Sequence, residues 1–156
     1  MSNDLQIPFL PIIQILNGDY DDRMDELKEK IRGFLNSVFK ITSMPYDEGN
    51  HIVVEERLKD LSNILPSSSM AKAIAIKVFH KKKLEMMHHY LSDPETKKMG
   101  ISIVKDLAKD SCYDELALLS LAEDTHQDLI EQIGAIRSVL STHKAELMAR
   151  VSFNQT

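Results

Sequence analysis

Tryptophan is missing from this chain, and cysteine occurs once, at Cys112. A lone cysteine cannot close an intramolecular disulfide, which argues for a reducing environment and against a disulfide-stapled secreted fold. Aromatic residues make up only 6% of the chain while methionine occurs eight times, so the core must rest on Leu, Ile, Val and Met. Such a core is adaptable. With five glycines in 156 residues there is no Gly-x-Gly-x-x-Gly and no Walker loop to cradle a phosphate. Cys-x-x-Cys and nucleophile-elbow motifs are absent as well. No segment reads as a signal peptide or as the roughly 20 apolar residues of a membrane span. These absences favour a cytoplasmic protein that binds or assembles over an enzyme. Cys112 itself falls at a helix start, where a thiolate is stabilised. A nucleophile also needs an oriented base, and none can be placed, so no catalytic residue and no cofactor are expected.

What the sequence has in quantity is helical periodicity. The longest proline-free run, Tyr113 to Arg150, places Leu118, Leu119, Ala122, Leu129, Ile130, Ile133, Ile136, Leu140, Leu147 and Val151 on one broad face. Asp124, Gln127, Asp128, Glu131 and Glu146 keep to the other side. Asp110 or Ser111 offers an N-cap, with Asp114 and Glu115 in the first turn at the positive end of the helix dipole. At about 1.5 Å per residue this helix extends about 55 Å, more than the diameter of a compact domain of this size. It must bend or project. Gly134 and Ser138 form a small-residue strip where a second backbone could approach, and Ile136, Leu140, Leu147 and Val151 fall beyond the reach of the same subunit. Gly134 and these four residues are the candidate self-association surface, and a homo-oligomer is the expectation.

Upstream, Gln6 to Ile13 is apolar but carries Pro8 and Pro11, which exclude a central strand and an early helix. It reads as an extended arm, residues 1–19, lying in a groove of its own domain or of a neighbour. Asn17-Gly18-Asp19 closes it as a turn. A helix follows over 20–40, with Met24, Leu27, Ile31, Leu35 and Val38 inside, joined by Phe34 and Phe39 as the largest apolar groups. Ser43 to Asn50 is turn chemistry. A second helix is expected over 52–64, broken by Pro66 and three serines, and a third over 70–91 with Ile76, Leu84, Met87 and Leu91 as its core face. Asp93-Pro94, with Ser92 and Glu95 as a capping box, starts a fourth over 94–110. The long helix over 112–149 is the fifth, and 151–156 is a fraying tail. The expected fold is an all-α, four- to five-helix, bundle-like single domain over 20–150 with a long C-terminal helix.

The net charge of −5 is uneven. Residues 70–100 carry seven lysines against three acids, while the segments on either side are acidic. Lys81, Lys82, Lys83, Lys97 and Lys98 are therefore candidate contacts for an acidic protein surface. Nucleic acid would be met by the same lysines without base reading, because no arginine or DNA-binding motif accompanies them. Two Glu-x-x-His spacings, Glu85 with His88 and Glu123 with His126, match the ligand pattern of ferritin-like di-metal bundles. Orientation argues against a shared site. Glu85 lies about 130° and His88 about 70° from the centre of the expected core stripe, whereas ligands should converge.

Overall fold

A computed structural model of the chain describes residues 23–153. The fold is all-α, with no strand among the described residues: α1 is Met24–Thr42, α2 is His51–Ser92, α3 is Ile101–Asp110 and α4 is Tyr113–Phe153, with a short 3-10 turn, Thr96–Met99, ahead of α3. The arm at 1–19, the turn at Asn17 to Asp19 and the last residues of the tail lie outside the described residues. No described helix is long and apolar enough to cross a membrane.

α1 forms as its spacing predicts, burying Leu27, Ile31, Phe34, Leu35, Val38 and Ile41. Phe39 does not join them. It is 60% exposed, because it follows the buried Val38 by one position and so points about 100° away from the stripe. After Thr42 the chain turns through Ser43 to Asn50. Arg57 holds this turn down, donating to the carbonyls of Ile41 and, at 3.2 Å, Thr42, with its guanidinium 5.7 Å from the centre of the Tyr46 ring. Asn50 then caps α2, its side-chain oxygen accepting from the backbone N–H groups of Ile52 at 3.1 Å and Val53 at 3.4 Å.

α2 corrects the sequence reading most. The separate helices at 52–64 and 70–91 are one helix of 42 residues, with Pro66 inside it. An interior proline removes one hydrogen bond and costs about 3 kcal/mol. Leu61, Ile64, Ala71, Ile74, Ala75 and Val78 are buried on both sides of it, and each large apolar side chain so buried contributes about 1.5–3 kcal/mol. Continuing the helix keeps both halves of that stripe on one partner, which outweighs the lost bond. The serines are absorbed too. Ser69 donates to the carbonyl of Leu65 at 3.2 Å, and Ser68 is fully buried. In the second half the core face consists of Ala71, Ile74, Ala75, Val78 and Phe79, whereas Leu84 and Leu91 are exposed.

At the end of α2, Asp93 rather than Ser92 does the capping, its carboxylate accepting from the N–H groups of Glu95 and Thr96. Ser92 donates back to the carbonyl of His88 at 2.8 Å. Helix does not start at Pro94. Gly100 stands at φ +90, outside helical geometry, and α3 begins after it. α4 likewise begins only at Tyr113, with the Cys112 carbonyl just ahead of it accepting from Leu116 N–H at 2.9 Å; Asp110 and Ser111 belong to the end of α3.

α4 packs chiefly on α2, and α1 rests against both. α2 and α4 are antiparallel: His51 meets His143, and Ser68 meets His126, one member of each pair advancing as the other recedes. Leu118, Ala122, Leu129, Ile133 and Ile136 of α4 share one core with α1 and α2. Glu115 at one end and Thr125 mid-way are the buried polar positions of that face.

Candidate functional site

Three places collect polar or unpartnered groups, and each follows from how the two long helices run past each other. The first is the middle of the α2–α4 seam, where His126 Nδ1 lies 3.2 Å from the buried Ser68 hydroxyl. Burial holds the His126 pKa below its ordinary value, with a further push from the Lys72 charge. Ser68 has no exposed surface and His126 is half-buried, so the pair is a polar cross-link along the seam. The seam also separates the two Glu-x-x-His spacings. His126 sits opposite Ser68, and Ser68 is some 25 Å along α2 from Glu85. Glu85, His88 and Glu123 are exposed, and Glu85 accepts from Lys82 at 3.4 Å. Glu85, His88, Glu123 and His126 therefore do not meet, in keeping with the diverging orientations that their spacings give.

The second place is a cleft of about 300 Å³ where α1, α2 and α4 converge, lined by Met24, Asp25, Lys28, Val78, Lys81, Lys82, Glu85 and Glu115. Lys28 bridges Asp25 at 2.8 Å and Glu115 at 2.9 Å, and its side chain and that of Glu115 are 13% and 8% exposed. Hydrogen bonding to Asp25 raises the Lys28 pKa, against an opposing effect of burial. Three lysines facing three carboxylates leave the cleft with little field for a charged ligand. Cys112 offers no nucleophile. It is fully buried, donates to the carbonyl of Ala108 at 3.0 Å, and burial raises its thiol pKa, reversing the expectation from its place at a helix start.

The lysine set is divided by the fold. Lys82 faces Glu85, and the Lys83 ammonium lies 5.9 Å from the centre of the Phe79 ring, both on the flank of α2. Lys97 and Lys98 are exposed on the 3-10 turn beyond the end of α2.

The third place is the opposite end of the molecule. Ile136, expected to protrude, is 1% exposed and packs in its own subunit's core. Its reach was misjudged because α2 is one long helix and extends farther along α4 than two shorter helices would. Gly134 is on the outer side with open space around it, and Ser138 donates to its carbonyl at 3.1 Å, so the strip is solvent-facing. Val139 and Leu140 still pack against the core. Among the described residues the cover ends at His51, the first residue of α2, whose ring lies 5.8 Å from that of His143. Residues 144–153 carry α4 about 15 Å farther. On that overhang Leu147, Met148 and Val151 are 55%, 63% and 57% exposed. Met148 was not among the candidates, because it points about 100° from Leu147; it borders Val151, three residues on, and widens the exposed apolar surface beyond the stripe.

No family model, curated protein or solved structure matches this chain.

Proposed function

We propose that the chain is a non-enzymatic helical assembly or adaptor protein, associating with a second copy through the overhang of α4 and meeting an acidic partner at its lysine-bearing end. The observation that carries this reading is that the apolar stripe of α4 outlasts its partner helix. Leu147 lies eleven residues beyond the buried Ile136, about 20° round the helix, so the stripe continues in line after α2 has ended. Contiguous apolar surface of this kind marks an interaction site more often than an idle one. A second copy offers the same ridge and can cover it symmetrically.

At the other end, Lys97 and Lys98 stand a full α2 length, about 60 Å, from the overhang. That separation would let the two contacts be made at once.

Light scattering on the whole chain over a wide concentration range tests the reading. A mass that rises with concentration is expected, and a constant monomer mass would remove the assembly claim. The ridge is short, and interfaces below about 1,200 Å² are weak and transient, so association should be reversible.

A further inference from the structure

The His51–His143 contact is not used by the assembly reading, and it has the features of a ligand site. We propose that these two histidines bind a divalent transition-metal ion of the zinc, copper, nickel or cobalt class, clamping the first turn of α2 to α4. The rings are 5.8 Å apart, centre to centre, and tilted by 32°. Two imidazoles on one tetrahedral ion, with metal–nitrogen bonds of about 2.0–2.1 Å, place their ring centres about 5 Å apart. Less than 1 Å of approach is needed, within what a rotamer adjustment supplies at a helix rim.

Two further observations point the same way. The Nδ1 atom of His143 is buried and has no hydrogen-bond partner, so one ring nitrogen stands desolvated with nothing to receive its lone pair or proton. Desolvated nitrogens of this kind are uncommon unless a ligand, ion or water completes them. On the other side, Glu55 Oε1 lies 3.6 Å from His51 Nδ1, one helical turn along α2. At that distance the two are not yet hydrogen-bonded, and a rotamer change would bring Glu55 to where a carboxylate orients a ligating histidine and leaves its other nitrogen, Nε2, for the metal. No three His, Cys, Asp or Glu side chains among the described residues converge as they stand, so water completes the coordination. Imidazole nitrogen selects against calcium and magnesium, which take oxygen ligands. Short spacings do not reveal the site because its two ligands come from separate helices, α2 and α4, far apart in the chain.

Titration of cobalt(II) chloride into the full chain at neutral pH tests this directly. One ion per chain, with visible absorption of the bound metal, displacement by zinc and a raised melting temperature are expected. His51→Gln and His143→Gln should each abolish the absorption and the thermal shift; both positions lie at the rim of the bundle, and circular dichroism would show that the variants keep their helices. Glu55→Gln should weaken binding about tenfold. No binding by the native chain at millimolar cobalt, or binding that survives both histidine substitutions, overturns the proposal. Light scattering of the assembly is a separate measurement, so failure of either idea leaves the other standing.

Discussion

At the scale of single residues, the structure turns on polar groups that the bundle buries. Lys28 and Glu115 form an ion pair between α1 and α4, both nearly out of solvent. Breaking such a pair strands a charge, at a cost of about 3–5 kcal/mol, whereas replacing both members with apolar residues of similar volume is often neutral. Lys28→Ala is therefore expected to lower the unfolding free energy by about 3 kcal/mol in chemical denaturation, since Asp25 is no substitute cation for Glu115. Lys28→Met combined with Glu115→Leu should recover most of it. His126 supplies a pH dependence. Its folded pKa is depressed from the ordinary 6.5, chiefly by burial, so the folded state resists protonation that the unfolded chain accepts. Its stabilising contribution is complete above that ordinary value and is lost as pH falls through it toward the folded pKa. Urea midpoints measured from pH 7.5 to 5 should fall for the native chain and fall less steeply for His126→Gln. Neither pair was legible in the sequence. A lysine and a glutamate in different helices look like solvated surface until the topology brings them face to face, and Ser68 reads as part of the break at Pro66 and its three serines.

The elements were legible where apolar spacing is regular and the caps are local. α1 and most of α4 emerge from periodicity and local caps, although α4 continues to Phe153 where a fraying tail was expected from residue 151. The errors cluster at the punctuation. Pro66 was read as a stop, because local chemistry disfavours it inside a helix, but the buried stripe on either side belongs to one α4 partner and holds the helix together. Gly100 was passed over, although its positive φ sets where α3 begins. If tertiary burial is what holds α2 through the proline, restoring the missing donor should add stability. Pro66 is exposed, and alanine is about 3 kcal/mol better than proline inside a helix, so Pro66→Ala is expected to raise the unfolding free energy by about 1–3 kcal/mol. The lower end allows for the stiffness proline gives the unfolded chain. A destabilised variant, measured by chemical denaturation, would show that the proline contributes something to α2 beyond a missing bond.

For the whole molecule, the governing fact is that α2 and α4 are nearly equal in length but offset, so α4 runs on past His51. Among the described residues, Leu147, Met148 and Val151 stand outside the core, while Ile136 on the same stripe is sealed inside it. The sequence showed the stripe and its length but not where its cover would end, because that depends on the continuity of α2. The offset makes two positions on one helix face respond in opposite ways to the same change. Leu147→Glu with Val151→Glu should leave the melting temperature and helical signal of the monomer unchanged and abolish the concentration-dependent rise in mass. Ile136→Glu should unfold the bundle, since it buries an unpaired charge. Self-association undiminished in the Leu147 and Val151 double variant would place the contact elsewhere on the molecule. A double variant that unfolds would mean the overhang is covered within its own subunit, and the reason for a second copy would be gone.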